Sequence, residues 1–444
     1  MYKFFSLLLG KSIIFIMNIL NFKASVYPGY FTLKFFPKFL NKIKYPKLTI
    51  MITGSSGKGS TTKLVAELLK KFDYDVVNNE EGSNLINAFA TMVIKNSNLK
   101  GEISKDAIVY EVDERYLKVI TKILKPNYLI IGNITRDQPP RQGDFDIVFE
   151  EIKKGLSDDI HLIVNGDDPI TKRFSLDHKG KITYFGISEN FMSKNEEINN
   201  IKDNLYCPNC NSKLNFKYYH YGSVGDYSCP TCDFKRNDIA YEITSINKDN
   251  MNIIINKKHK IKVDSYILFN LYNICACFTL ADTLNLNLNK TCEILSNINM
   301  NKKIFNEFTK DDKKYISLNC KAENNSTYNL ALLYTSLDKN KKCIVLGLKE
   351  ISRRYSYFDL SWLWDISFEL FKESNIEKVI CVGPYRYDFA TRVNYAGINK
   401  EDIIVLENFD NLNEEINTLE SKNIYGILNF DYIEPFIKSI KGEK

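Results

Sequence analysis

A chain of 444 residues with 44% hydrophobic side chains exceeds one ordinary domain and has apolar material for two or three cores. Its net charge of +6, from 60 Lys and Arg against 54 Asp and Glu, is a mild bias that excludes an electrostatic nucleic-acid footprint. Six of the ten cysteines are scattered in apolar context, as in Cys275-Ala-Cys277, which excludes a disulfide-stapled secreted scaffold and fits a reducing cytoplasm.

The first stretch, Met1 to Phe22, is apolar but interrupted by Lys3 and Lys11. Its longest uncharged run, Ser12 to Phe22, falls short of the ~18–20 residues of a spanning helix. No small-x-small cleavage site follows. The expectation is a helix packed on the body, with a resting place on the membrane surface as the alternative. Residues 24–46, with Pro28, Gly29, Pro37 and Pro46, read as an irregular connection.

A run of β-formers, Leu48 to Ile52, then leads into Thr53-Gly-Ser-Ser-Gly-Lys-Gly-Ser-Thr61, and a helical pattern from Ser60 to Phe72 leads out. Strand, glycine loop and helix make a phosphate cradle: Gly54 and Gly57 let backbone N–H groups approach phosphate oxygens, and the helix start adds partial positive charge. Lys58 is the cation for the β/γ-phosphates, and Ser60 or Thr61 offers a hydroxyl to Mg²⁺. The strict G-x-x-x-x-G-K-[ST] pattern is not met, because Ile52 stands at the first glycine and Gly59 follows the lysine. The shorter form T-G-x-x-G-K-x-[ST] fits throughout; a Gly/Ser turn with a solvated lysine is the bland alternative.

Beyond it, Val76 to Asn84 reads as a polar turn and Leu85 to Ile94 as a helix. Strands at Ala107–Val112, Asn127–Gly132 and Ile160–Val164 alternate with helices at Glu114–Leu124 and Phe145–Leu156. That alternation predicts a parallel sheet wrapped on both faces, with ligands at the carboxyl ends of the strands. Polar clusters fall there. Glu111 is the first candidate for Mg²⁺, with Asp113 and Glu114 read as helix-start acids. Arg136-Asp137-Gln138 and Asn165-Gly-Asp-Asp168 follow the next two strands, the latter suited to metal water or a phosphate-linked contact but also an ordinary turn.

Residues 205–236 break the alternation with Cys207-Pro-Asn-Cys210 and Cys229-Pro-Thr-Cys232. Two such knuckles supply four thiolates for a closed, structural Zn²⁺ in a zinc ribbon; redox pairs or free thiols are the other reading. Residues 240–264 alternate like a hairpin, and Tyr266 to Leu284 is helical. From about Asn301 a second αβ series predicts a separate C-terminal domain. In it, Asp359-Leu-Ser-Trp-Leu-Trp-Asp365 reads as a cap followed by a helix, Trp362 to Phe371, anchored by Trp362 and Trp364. No local Ser/His/Asp or Cys/His set is present in the sequence.

The loop Thr53–Thr61, Glu111-Val-Asp-Glu114, Asn133 to Gln138, Asn165 to Pro169 and Leu271-Tyr-Asn273 resemble the Mur ligase central domain. Only about fifty residues precede the loop, too few for the UDP-binding domain of ordinary members. The four-cysteine insert, Asp359 to Asp365 and Val382 to Arg392 resemble MurT-type ligase subunits of lipid II isoglutaminyl synthase. The resemblance implies a parallel-sheet ATPase domain over 47–299 carrying the ribbon, a smaller α/β domain over 300–444, and residues 1–46 as helix and connection. It implies ATP and Mg²⁺ at Gly54, Ser55, Ser56, Gly57, Lys58, Gly59, Ser60, Thr61 and Glu111, with Asn270 and Asn273 beside the nucleotide. It further implies amidation of the α-carboxylate of D-glutamate in the lipid II stem peptide, through an acyl phosphate. The ammonia would come from a separate GatD-like glutaminase in a heterodimer, whose Cys-His pair Asp359 would complete in trans. Cytoplasmic localisation, peripheral at the membrane, goes with that acceptor. Departures mark a divergent member: Gly54-Ser-Ser-Gly-Lys-Gly-Ser60 for the usual G-T-N-G-K-T-T, Lys302-Lys303 for an arginine, Asn319-Cys-Lys-Ala-Glu323 for an Asn-Pro segment, and Lys349 to Arg353 for Asn-Asp-Asn. The rivals are an amino-acid-adding ligase of the pseudomurein kind, a folylpolyglutamate synthase and a non-catalytic glutaminase-binding scaffold.

Overall fold

A computed structural model describes residues 1–79, 84–135, 144–195, 205–236, 238–298, 305–322, 324–351 and 359–443. Arg136 to Gln138, Lys302, Lys303 and Arg353 lie outside the described residues. Helices α1 (Tyr2–Ile19) and α2 (Tyr27–Phe35) come first. The second of these replaces the irregular connection read from the prolines. Pro28 stands in its first turn, where the missing N–H costs nothing.

The strands of the larger sheet are β1 (Leu48–Thr53), β2 (Val76–Asn78), β3 (Ala107–Glu111), β4 (Tyr128–Ile131), β5 (His161–Asn165) and β6 (Ile182–Ile187). An insert hairpin, β7 (Asn215–Tyr221) and β8 (Val224–Ser228), stands apart. Then β9 (Tyr241–Asn247), β10 (Asn252–Ile255) and β11 (His259–Lys262) rejoin the sheet, in the order β11-β10-β9-β6-β5-β4-β1-β3-β2. From β9 to β2 every neighbour is parallel; β10 and β11 add an antiparallel edge. One expectation changes here: Val76-Val-Asn78 is an edge strand rather than part of a turn, while the hairpin pattern of residues 240–264 is present and joins the main sheet through β6. The apolar runs of β1, β3, β4 and β5 are buried, as the centre of a doubly covered sheet requires. Helices α3 (Lys58–Lys71) and Leu268–Thr283 belong to the core on one face; α4 (Ile86–Asn96) and Phe145–Lys153 belong to that on the other.

The second sheet, β12 (Phe305–Lys310), β13 (Lys313–Cys320), β14 (Lys342–Gly347), β15 (Ile376–Val382), β16 (Ile403–Leu406) and β17 (Asn423–Asn429), runs β12-β13-β17-β14-β15-β16. It is parallel except for the β12–β13 hairpin. Leu330 and Leu333 of helix Asn325–Ser336 enter the core of the larger domain, and Tyr334 packs 5.5 Å from Tyr266 between ring centroids. The expected helix Trp362–Phe371 is instead two 3₁₀ turns, Ser361–Asp365 and Phe368–Glu373.

Candidate functional site

β1 is flanked by β3 and β4, with Ile52 opposite both Glu111 and Ile130, so the chain segments leaving these strands converge at one edge. The glycine loop fills the four residues between Thr53 and Lys58. Gly57 is left-handed at φ 79°, and a Cβ there would lie 2.7 Å from Asn273 Oδ1, so only glycine closes this turn against the Leu268–Thr283 helix. Gly59 makes a second close approach: its Cβ would stand 3.0 Å from Glu111 Oε2. The loop serines are tied to the segment after β4. Ser55 Oγ both donates to Thr135 O and accepts from Thr135 N at 3.0 Å, and Ser56 Oγ donates to Asn133 Oδ1 at 2.8 Å.

Charges meet at this edge. The Lys58 ammonium donates to Gly54 O at 2.5 Å and to Glu114 Oε1 at 2.6 Å, with side chains only 10% and 2% exposed. Glu114 is therefore the partner of the loop lysine, not simply a helix-start acid; Asp113 does cap its helix, accepting from Arg115 N. Glu111 accepts from Asn84 Nδ2 at 3.1 Å, while Asn79 brackets its backbone N–H and C=O. Burial pushes the Glu111 carboxyl up against the opposing pull of Lys58, the Asn84 hydrogen bond and Lys321 from the C-terminal domain. Thr61 Oγ1 donates to Asn273 Oδ1 at 2.9 Å, and Asn273 Nδ2 is buried with no hydrogen-bond partner among the described residues. Both line a narrow cavity with Ser56, Gly57, Lys58 and Asn133. Asn270, one turn earlier, points Nδ2 at Ser265 Oγ, 3.4 Å away. Ser60 is half-buried in the first turn of α3. A buried ammonium, two acids, hydroxyls and helix-start N–H groups are the donor set of a metal-nucleotide site, and the orphaned Asn273 amide leaves a donor for a ligand.

The Asn165–Asp168 segment has another role. Asp167, fully buried, accepts from Arg236 Nε at 2.7 Å, Tyr272 Oη at 2.8 Å and Ile187 N at 2.7 Å. Asp168 caps the turn at Pro169 through Ile170 N and accepts from Ile134 N. His220 is held neutral by burial and donates to Ile187 O at 3.0 Å. Asp167 thus ties the cysteine-bearing insert to the sheet through Arg236, and Asp168 makes the ordinary turn that was the other reading of this segment.

The four cysteine sulfurs of the insert come together, all within 4.8 Å of one another. Cys207 is 3.4 Å from Cys232, and Cys210 is 3.3 Å from Cys229 and 3.7 Å from Cys232. Each pair opens a tight knuckle, with Cys207 N donating to Ser212 O and Cys229 N to Phe234 O.

Asp359 lies far along the chain, on the second sheet's domain. Its carboxylate accepts from Ser361 N at 2.8 Å at the head of the first 3₁₀ turn. Trp362 is buried there, whereas Trp364, expected as an anchor, is 42% exposed and meets Tyr395 edge-on at 5.2 Å. Buried Arg392 holds the segment from beneath, donating to Leu363 O, Ile366 O and Glu369.

Residues 52–281 match the Mur ligase middle domain. The chain belongs to the Mur ligase family. Residues 322–432 match the MurT ligase C-terminal domain, marking this Mur ligase as a divergent MurT-like member and an ATP-dependent ligase. It is similar to lipid II isoglutaminyl synthase (glutamine-hydrolyzing) subunit MurT of Staphylococcus aureus (strain COL), 28% identical over 80% of this chain and 79% of that one. The subunit of the same name from Streptococcus pneumoniae (strain ATCC BAA-255 / R6) is 25% identical over 94% and 92%. Among solved structures, a pseudomurein peptide ligase type C from Methanothermus fervidus shares the fold, with a TM-score of 0.71 and 18% identity over 91% of this chain and 81% of that one. Mur ligases use ATP and Mg²⁺, and the donor set around Lys58 fits both. Sequence reasoning missed Glu114, Asn79, Asn84 and Lys321 at the site; of these only Glu114 carried a signal, as an acid at a strand's carboxyl end.

Proposed function

We propose that this Mur ligase is the synthetase subunit of an amidotransferase. It would convert the α-carboxylate of D-glutamate in the lipid II stem peptide to the carboxamide of D-isoglutamine. Supporting this reading above its rivals is Asp359, a carboxylate fixed on a MurT-type C-terminal domain beside exposed Trp364 and Tyr395. A ligase that only added an amino acid would need it for no more than the turn it caps. The names of the staphylococcal and streptococcal relatives point the same way.

In the reaction, a carboxylate oxygen of the acceptor takes the terminal phosphoryl group of ATP, and ADP leaves. Ammonia attacks the activated carbonyl, inorganic phosphate departs with the C–O bond, and the nitrogen loses a proton. The backbone N–H groups of residues 56–60 and the Lys58 ammonium bind and orient the phosphates, Lys58 giving up its contact with Glu114 for them. Ser60, Thr61 and Glu111 would hold Mg²⁺, which neutralises phosphate charge when bound. Asn273, with Asn270 a turn before it, would face the nucleotide from the Leu268–Thr283 helix. Asp359 would orient the histidine of a glutaminase partner that releases ammonia from glutamine, the two subunits forming a heterodimer in the cytoplasm.

Cys207, Cys210, Cys229 and Cys232 would hold one structural Zn²⁺ in a ribbon. Tetrahedral arms of about 2.3 Å set neighbouring sulfurs about 3.8 Å apart, close to the spacing seen. On domain limits, residues 1–46, 47–299 and 300–444 remain our division, the ribbon lying in 205–236.

The test is co-purification with a glutaminase, then incubation with lipid II, ATP, Mg²⁺ and glutamine, read by mass spectrometry. We expect ADP formation with one carboxylic acid replaced by an amide. Incorporation of an amino acid instead would make the chain a peptide-adding ligase; binding of the glutaminase without ATP turnover would make it a scaffold.

A further inference from the structure

Of the chain's 60 Lys and Arg and 54 Asp and Glu, eight Lys and no acid lie in residues 1–47, which leaves 52 basic against 54 acidic residues in the remainder. The whole positive excess of the protein is thus local to α1, α2 and their flanks. The apolar surface is local to the same stretch. Among the described residues, 14 of the 24 large hydrophobic side chains that stand exposed fall within the first 35 positions.

The two helices are built into the body by one face only. Ser6, Leu7 and Gly10 of α1 are buried, and Ile14 packs on the core. Tyr2 meets the Phe36 ring edge-on at 5.3 Å, so the start of α1 lies by the end of α2 as in a hairpin. Gly29 N donates to Thr91 Oγ1 of α4 at 2.9 Å, fixing α2 in turn. The outer face carries Phe15, Ile16 and Ile19 on α1, and Tyr27, Phe31 and Phe35 at four-residue steps on α2; Phe15, Ile19 and Phe35 are each more than 60% exposed. A soluble surface seldom gathers so much aromatic and aliphatic area in one place without a partner.

We infer that the outer face of the α1–α2 hairpin docks on an anionic membrane surface, lying in its plane. Apart from Lys44, which pairs with Glu102, the lysines of a stretch that holds no acid of its own match acidic headgroups, while the aromatic and aliphatic side chains enter the headgroup–acyl boundary. Crossing the bilayer fits less well. Eighteen residues of α1 span about 27 Å, under the ~30 Å hydrocarbon core, and a spanning helix would have to tear Leu7 and Gly10 from the body. Ser25, in the α1–α2 connection, lines a cavity together with Asn79, the residue that brackets the Glu111 backbone.

The inference does not rest on the amidation reading, because the test needs neither ATP nor acceptor. The full-length protein is floated with vesicles of phosphatidylcholine alone and of phosphatidylcholine with phosphatidylglycerol. The same is done for Phe15→Ser/Ile19→Ser, whose fold is checked by circular dichroism and whose mass, like the wild type's, is checked by light scattering. We expect flotation with the anionic vesicles, about tenfold weaker binding to neutral ones, and about a tenfold loss in the variant at unchanged helix content. A wild type that floats with neither vesicle, or a variant that floats as well as wild type, overturns the inference. So does equal binding to both vesicles, which removes the headgroup match. A dimer that the variant abolishes, with no flotation of either protein, would make this face a contact between two copies.

Discussion

Asp167 sits at the end of β5 without exposed surface, and partners from three distant parts of the chain converge on it: Ile187, Arg236 and Tyr272. Burial together with that carboxylate holds the Tyr272 phenol well above its ordinary value, so Tyr272 is a fixed donor at neutral pH. Losing the charge strands the Arg236 guanidinium, for which Glu242 is then the only acid left in contact among the described residues. Asp167→Asn should destabilise the protein by about 3–5 kcal/mol, measured by urea unfolding, because one member of a buried ion pair is gone. A loss below about 1 kcal/mol would show that Asp167 is not the anchor of the insert. Nothing local distinguishes this acid from a phosphate-edge aspartate. Asn-Gly-Asp-Asp-Pro at a strand's carboxyl end reads the same in both roles, and the partners that decide lie 20, 69 and 105 residues away. Lys58 and Glu111 were legible for the opposite reason: the loop pattern and strand end that mark them are contiguous, and the structure brings them to one edge. Glu114 does start its helix, but its pairing with the loop lysine, 56 positions earlier, has no local signal.

Among elements, the segment after Asp359 shows how outside partners override local pattern. Trp362, Trp364 and Phe371 invite a helical reading, but Ile366 is extended and splits the run into two 3₁₀ turns. Arg392 takes the carbonyls of Leu363 and Ile366, and Asn329 Oδ1 accepts from Ser367 N at 2.7 Å. Backbone groups that an α-helix would satisfy internally are paired elsewhere. The same arrangement turns Trp364 outward beside Tyr395. An exposed Trp on the turn that Asp359 heads is the kind of anchor that protein interfaces use, so Trp364→Ala should weaken glutaminase binding by about 2 kcal/mol, roughly 30-fold. Calorimetry of the two subunits reads this directly; unchanged affinity would move the interface away from Asp359. The insert makes a separate prediction. Cys207, Leu214, Tyr227 and Phe234 form a core too small to stand by itself. Elemental analysis should find one zinc per chain, and Cys207→Ser should release it and open residues 205–236 to protease. Protein without zinc whose four thiols titrate freely would end the ribbon reading. The spacing was sufficient to foretell that the four sulfurs come together, since two C-x-x-C knuckles flank one hairpin.

At the scale of the whole molecule, the αβ alternation made both parallel sheets legible, because each strand–helix step is local and repeats. The joint between the sheets was not, since Leu330 and Leu333 enter the first domain's core and Tyr334 meets Tyr266, 68 positions earlier. On the proposed function that joint divides the labour, with phosphate chemistry at the first sheet's edge and Asp359 on the second domain. The two can therefore be separated by substitution. Lys58→Ala removes the cation from the phosphates and should lower turnover about 10²–10³-fold whether nitrogen comes from glutamine or from ammonium chloride. Asp359→Asn keeps the hydrogen bond from Ser361, since Asn caps a turn about as well as Asp. It gives a partner's histidine the wrong acceptor, a change that costs about 10⁴-fold in a comparable triad. We expect the Asn variant to lose glutamine-driven amidation and keep most of the ammonium-driven reaction, with ATP use intact. If both substitutions depress both reactions alike, the domains do not divide the work in this way. If Asp359→Asn matches wild type with glutamine, the carboxylate only caps its turn, and the chain fits a ligase that adds amino acids without a glutaminase.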